Sequence, residues 1–361
     1  MSSPILAVCA SGEVSGAELV LLRLVERAVA EGRDVTVASP DGPLVDRIPA
    51  GVAHVGLPPA GRQNASSRLR RLSLTSKWLV SWISAARTIR AESRRPGTHV
   101  VVNALLALPP LRLARPRGGA VWLVHDVIVT DRQRWFVRFA RPSLRRTVAV
   151  SDAAAAPLRE LGLDVDVRPN GVAWPVAPRR TDPDRPLVVG SVGLVAPWKG
   201  THVLLDAVAA LPDVRLQIAG GHFGHDASYV DELRVRAGRP DLDGRVTFLG
   251  HTEDALETMR SWDVFVSSSV RPEAGPMTVI EAMSVGLPVV ATDHGGPQEY
   301  LAEDRGELVP PNDAPAMAAA IRRLADDPAR RHDLGERGRE YVADRFDRSV
   351  TFPAQYEAVM T

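Results

Sequence analysis

Short apolar runs alternate along this chain with longer stretches in which apolar residues recur every three or four positions. That is the signature of strands alternating with amphipathic helices. Ile5 to Ala10 predict a first buried strand, and leucines and valines at helical spacing predict a helix from about Ala17 to Glu31. Gly32 stops that helix, and Val35 to Ala38 resume the strand pattern. A strand–helix–strand unit joins parallel neighbours, so the expected class is α/β with a parallel sheet. Further strands are predicted at Val121 to Val124, Thr147 to Val150, Leu187 to Val192, Val214 to Ala219, Val246 to Leu249, Val264 to Val266 and Val289 to Ala291. Helices are predicted at Ala314 to Ala325, at about Pro328 to Asp344, and from about Arg348 to Met360.

One stretch interrupts this alternation. Residues 174–186, WPVAPRRTDPDRP, continue neither a strand nor a helix and read as a linker. At 361 residues the chain is long enough for a core on either side. The expected organisation is a first domain at 1–173, a second at 187–345 and a terminal helical segment at 346–361.

Candidate chemistry concentrates in residues 263–299, DVFVSSSVRPEAGPMTVIEAMSVGLPVVATDHGGPQE. The strand run ends in small polar residues, a loop carries Glu273, and an apolar-periodic segment carries Glu281 before Gly286 and Pro288 close it. Such a unit aims the free N–H groups and positive dipole end of a helix above the strand ends, where an anionic diphosphate is the usual occupant. Glu273 meets a ligand beyond the helix tip, and Glu281 meets it from the helix side. Carboxylates accept hydrogen bonds, so hydroxyls of a sugar and a ribose are their natural partners. A single glutamate in such a place is more often a solvated surface charge; the setting between two buried strands favours the ligand. Pro276 has no N–H, which leaves the amides of Ala274, Gly275, Met277 and Thr278 to donate.

Usage of basic residues singles out a second position. Only two of the 44 are lysines, Lys77 and Lys199, and Lys199 sits in G-L-V-A-P-W-K-G at a predicted helix start. A compact ammonium there suits a phosphate oxygen. Arg271, just ahead of Glu273, offers a further positive charge. Gly12 and Gly16 do not form G-x-G-x-x-G, so a dinucleotide fingerprint is absent.

Composition narrows the class. Hydrophobic content of 45% and charged content of 24% are ordinary for a globular protein, and no apolar run approaches the roughly 20 residues of a membrane span. The N-terminus lacks a basic n-region and reads as a first strand, not as a signal peptide. Cys9 is the single cysteine, which excludes a disulfide within the chain and fits a cytoplasmic setting.

The net charge of +1 hides a division, with residues 1–175 at +10 and residues 176–361 at −9. Residues 62–95 hold nine basic residues against one acid, and Leu69, Leu72, Trp78, Leu79, Trp82 and Ile83 can form an apolar stripe among them. That composition fits either a peripheral contact with an anionic membrane at its inner face or a sheet-flanking helix with solvated arginines. A second basic cluster, RQRWFVRFARPSLRR, runs from Arg132 to Arg146. No nucleic-acid motif accompanies either cluster, so nucleic acid is not an expected partner.

E-x7-E between two such strands, followed by G-L-P-V-V-A-T-D and G-G-P-x-E, resembles the family 4 retaining glycosyltransferases of GT-B fold. The resemblance covers nearly the whole chain, densely at 187–300 and thinly at 40–115. It implies two Rossmann-like domains facing across a cleft, with a C-terminal helix crossing back to the N-terminal domain through Phe346, Phe352 and Tyr356. The pattern V-S-D…P-N-G-V through Val172 resembles the close of the family's first domain. Gly16-Ala17-Glu18 resembles the G-G-A-E that opens the first helix, which places Gly16 against the donor's sugar and phosphate. His125-Asp126, at a strand end, matches the family's H-D, with the histidine beside the donor sugar's 6-position. Leu249 to His251 correspond to backbone that contacts the base. Two departures stand out. The family has G-R-x-x-x-x-K-G on the diphosphate, whereas this chain has Leu194 where the arginine would be. Many members read E-x-F-G where this chain has Glu273-Ala274-Gly275-Pro276.

The resemblance thus implies a retaining transfer from a nucleotide sugar, most naturally a UDP- or GDP-sugar, with His125, Glu273 and Lys199 as catalytic residues and no cofactor. No D-x-D or clustered His/Cys pattern suits a metal here, which points to a metal-independent site. Asp126 and Glu18 are candidate acceptor contacts. The acceptor is a hydroxyl, either on a lipid-linked cell-envelope intermediate or on a soluble small molecule or natural product. Two readings of another kind remain: a relative with epimerase or phosphorylase chemistry, and a non-catalytic nucleotide-sugar-binding protein.

Overall fold

A computed structural model describes residues 3–59, 68–180 and 185–361, with residues 68–77 described by their backbone alone. The first unit comprises residues 1–170 and 352–361 and the second residues 171–351. Among the described residues, the first runs β1 (Ile5–Val8), α1 (Gly16–Ala30), β2 (Val35–Ser39), β3 (Ala53–Gly56), α2 (Arg68–Glu92), β4 (His99–Val102), α3 (Leu108–Ala114), β5 (Ala120–Val124), α4 (Asp131–Ala140), β6 (Leu144–Ala149), α5 (Asp152–Glu160) and β7 (Val165–Val167). The second continues β8 (Leu187–Val192), α6 (Thr201–Ala209), β9 (Val214–Ala219), α7 (Ala227–Ala237), β10 (Val246–Gly250), α8 (Ala255–Met259), β11 (Val264–Ser267), α9 (Met277–Ser284), β12 (Val289–Thr292), α10 (Gly296–Tyr300), β13 (Glu307–Val309), α11 (Ala314–Asp326) and α12 (Pro328–Arg345). A last helix, α13 (Arg348–Met360), begins in the second unit and ends in the first.

All strand pairs are parallel, in the orders β3-β2-β1-β4-β5-β6-β7 and β10-β9-β8-β11-β12-β13. Both sheets therefore reverse their winding next to their first strand, between β1 and β4 and between β8 and β11. At such switch points the connecting loops part and leave a crevice at the carboxyl ends of the strands. β1, β4, β5, β11 and β12 are buried along their whole length, which explains why they read as unbroken apolar runs instead of alternating ones.

The boundary between the units differs from the expected one. The chain leaves the first unit at Asn170, and residues 171–180 pack onto the second: Val172 pairs with Asp347, and the amides of Arg179 and Arg180 donate to Val285 and Arg260. Arg179 lies buried beside Asp263, which also takes both guanidinium arms of Arg185. The proline-rich stretch is thus tied down by backbone and ion pairs; residues 181–184 lie outside the described ones. Phe346 likewise packs within the second unit, edge-on to Tyr300, while Tyr356 donates to Glu31 in the first.

The apolar positions proposed for α2 do not form one stripe. Trp82 turns inward edge-on to Phe136, on the face that buries Ala85, Ala86 and Ile89, whereas Leu79 and Ile83 are exposed. The side chains of Leu69, Leu72 and Lys77 lie outside the described residues.

Candidate active site

In the second unit, Ser191 and Val192 at the end of β8, Ile218 and Ala219 at the end of β9, and Phe265 to Ser267 at the end of β11 line an open pocket. It occupies the switch point. Lys199 and Thr201 close it from the start of α6 and Thr278 from the first turn of α9. Leu194, at the position of the family arginine, also lines it, and Lys199 is the one cation among the lining residues.

Two glycines permit this geometry. Gly200 has φ of 70°, and a Cβ there would lie 2.0 Å from the Ser268 carbonyl oxygen. The lysine turn can therefore lie directly against the loop after β11, where the Ser268 hydroxyl donates to the Lys199 carbonyl at 3.0 Å and Val270 N–H to the Trp198 carbonyl at 2.9 Å. Gly295 has φ of 69°, and a Cβ there would meet the Glu273 carbonyl oxygen at 2.3 Å. Gly296 N–H donates to that same carbonyl at 2.8 Å, so the loop after β12 holds the Glu273 loop in place.

Held this way, the Glu273 carboxylate accepts from Lys199 Nζ through one oxygen and from the Ser269 hydroxyl through the other. Lys199 Nζ also lies 4.6 Å from the centre of the Trp198 ring. The first-turn amides of Met277 and Thr278 have no helical carbonyl to donate to and project toward the strand ends. Ala274 is buried, and Gly275, Met277 and Thr278 are half-buried along the same loop. Glu281 is half-buried further along α9. Arg271, Leu249 and His251 are exposed, and none of them lines the pocket.

In the first unit, Gly16, Glu18, Asn103, His125 and Asp126 gather around the β1/β4 switch point. Gly16 is exposed at the start of α1 and meets no side chain. Glu18 is buried and bonded to both the amide and the hydroxyl of Ser15, closing a capping box on α1. Burial, the largest cause, raises its pKa from the ordinary carboxyl value. Both bonds from Ser15 go to one carboxyl oxygen, Oε2. Asp126 is exposed beside His125. His125 has its Nε2 3.0 Å from Asn103 Oδ1, and desolvation by burial lowers its pKa to about 4, so the imidazole is neutral at pH 7.

Asn103, Ser268 and Ser269 are site residues that the sequence reading missed. The serine run directly after the β11 apolar run was the available signal for two of them; Asn103 had none. His294 was also missed: both its ring nitrogens are buried without a hydrogen-bond partner, in the turn that supports Glu273. No group of three His, Cys, Asp or Glu side chains among the described residues could hold a metal ion.

Comparison with known proteins agrees with this geometry. Residues 177–341 match the family described as Glycosyl transferases group 1, and residues 14–173 match Glycosyltransferase Family 4. The chain is 32% identical over 360 residues to a phosphatidyl-myo-inositol mannosyltransferase of Mycolicibacterium smegmatis, covering 93% of this chain and 87% of that one. It is 36% identical over 171 residues to the lipopolysaccharide core biosynthesis glycosyltransferase LpsE of Rhizobium meliloti, covering 47% of this chain and 48% of that one. Among solved structures, Anabaena HepE in complex with UDP and glucose superposes with a TM-score of 0.79 at 23% identity over the full length of both chains. Sucrose-phosphate synthase from Thermosynechococcus elongatus superposes with a TM-score of 0.79 at 21% identity over 98% of both. At these identities the two structures speak to the fold alone.

Proposed function

Because this chain belongs to glycosyltransferase family 4, and so acts on nucleotide-sugar donors, we propose that it transfers a hexosyl group with retention of configuration and without a metal ion. The observation that carries the proposal is the pairing of Glu273 with Lys199, which lines the β8/β11 pocket. A nucleoside diphosphate entering there gives Lys199 a phosphate partner, while the amides of Met277 and Thr278 face the same charge. Glu273, released from the lysine, then accepts hydrogen bonds from the sugar's hydroxyls. As the bond from the anomeric carbon to the diphosphate breaks, the acceptor hydroxyl forms its bond on the same face. Its proton passes to a phosphate oxygen of the leaving group. His125 enters this reading through its match to the family's H-D.

UDP-sugars, one of which HepE is described in complex with, are the first donors to try, with GDP-sugars next. The test is binding and hydrolysis of UDP-, GDP-, ADP- and TDP-sugars with and without EDTA. Selective turnover unaffected by EDTA is expected; turnover abolished by EDTA refutes the metal-free site, and binding of no donor refutes the donor reading.

The acceptor we propose carries phosphate and is lipid-linked. Phosphatidyl-inositol and lipopolysaccharide core appear in the relatives' names, and the first 175 residues carry a net charge of +10. Away from its buried side α2 exposes Leu79 (53%), Val80 (68%) and Ile83 (39%), and on the neighbouring α4 Trp135 is 50% exposed. Arg132 lies over Trp78 between them, 5.8 Å from its ring centre. Exposed aliphatic and aromatic side chains among arginines suit the interface of an anionic bilayer. No helix among the described residues is long and apolar enough to cross a membrane. Co-sedimentation with phosphatidylglycerol vesicles at low salt is expected, and it should weaken in Leu79→Asp. Failure to sediment refutes the membrane contact and favours a soluble acceptor.

A further inference from the structure

We infer that Asn103 fixes the tautomer of His125, so that the imidazole offers its Nδ1 to the substrate as a hydrogen-bond acceptor. This rests on placing His125 at the reacting sugar and specifies what the ring does there.

The two ends of an amide side chain are told apart by their partners. Asn103 is buried at the end of β4, with its backbone N–H held by the Val8 carbonyl at 3.0 Å. One end of its side chain lies 3.0 Å from the Ala17 carbonyl oxygen, in the first turn of α1. A carbonyl has no hydrogen to give, so the NH2 must face it. The other end is therefore the amide oxygen, and it lies 3.0 Å from His125 Nε2. An amide oxygen only accepts, so Nε2 must carry the proton.

A neutral imidazole has a single N–H, which leaves Nδ1 with its lone pair. Among the described residues Nδ1 has no hydrogen-bond partner. It can take the hydrogen of a substrate hydroxyl; it cannot donate to a phosphate oxygen. Asn103 thereby links β1, β4, β5 and α1 to one atom of the site. It is a positioning residue, acting on the substrate through His125. The other titratable groups of this corner are Glu18 on α1, Cys9 at the end of β1 and Asp126 next to the histidine. Burial keeps Glu18 and Cys9 toward their uncharged forms.

The test begins with long-range 15N–1H correlation spectra of the uniformly labelled full chain, His125 being assigned by its loss in His125→Gln. A protonated-type Nε2 and an unprotonated Nδ1 are expected; the reverse pattern overturns the inference. Asn103→Asp puts a carboxylate where the amide oxygen was, which still accepts from Nε2 but favours the imidazolium. The His125 titration and the acid limb of kcat/KM should then move up together by about 1–3 pH units. Activity lost at pH 7 should return at alkaline pH. Asn103→Leu, which can neither accept nor donate, should show both tautomers and a fall in kcat at every pH. A pH-independent loss in Asn103→Asp with an unmoved His125 titration would mean a purely structural asparagine. Full activity in His125→Gln with the expected spectra would leave the tautomer lock in place and refute its role in the reaction.

Discussion

At the switch point of the first sheet a buried amide faces an uncharged imidazole, and a nearby carboxyl caps α1 through one oxygen. At the switch point of the second, an ammonium faces a carboxylate between two helix starts. The strand order around the two corners is the same. Identical topology therefore supplies a place for a ligand without deciding its charge; the side chains do that. The first corner suits a neutral, hydroxyl-bearing group. The second suits a diphosphate, and holds its own countercharge in reserve through Glu273.

Removing charge should consequently hurt the second corner and spare the first. The largest effect is expected for Lys199→Ala, which deletes the one cation lining the pocket: turnover should fall about 10²–10³-fold. Steady-state kinetics beside a circular dichroism spectrum check this, and a loss under tenfold would mean that the diphosphate is neutralised elsewhere. Glu273→Gln sharpens the point because its two readouts should move in opposite directions. It frees Lys199, so nucleoside diphosphate should bind at least as tightly by calorimetry while turnover falls by about 10²-fold. Weaker binding would show that the pair, and not the lysine alone, forms the phosphate site.

In the first corner the expected effect is on stability. His125 stays neutral to about pH 4 when folded and titrates near 6.5 when unfolded. Between these values the unfolded chain binds the extra proton, so the stability present above pH 6.5 is lost as the pH falls toward 4. The loss should approach about 2–3 kcal/mol. Hydrogen exchange in β4 and β5 should follow it, and His125→Gln should flatten it. The smallest effect is expected for Glu18→Gln, because glutamine also completes a capping box. Its cost should be about 0.5 kcal/mol in urea unfolding; a drop of several kcal/mol would mean that the corner needs a negative charge.

Much of this was legible in the chain itself, for a physical reason. The strands Leu187–Val192 and Val214–Ala219 were read with the bounds the structure gives them, the first from an apolar run and the second from apolar residues alternating with Arg215 and Gln217. The loop-to-helix placement of Glu273 and Glu281 followed from Gly286 and Pro288 closing α9. Other elements carried no such signal. β3 is only partly buried and has no apolar run, and α3 begins with two prolines that resemble a break but sit in the first turn, where a missing N–H costs nothing. Asn103 was invisible because its role depends on β4, β5 and α1 meeting, which no local pattern records. Arg179 was read as linker charge because its partner Asp263 lies 84 positions away in the chain.

The final turns of α13 have a consequence for biogenesis. The carbonyls of Ala358, Val359 and Met360 receive hydrogen bonds from Arg146, His99 and Arg33 of the first unit. On a ribosome these residues emerge only after the whole of the second unit has been translated. At about 5–20 residues per second that delay is on the order of ten to forty seconds. Throughout it the nascent first unit must wait with the His99 and Arg145 surface unsealed, a target for chaperones that the finished fold conceals.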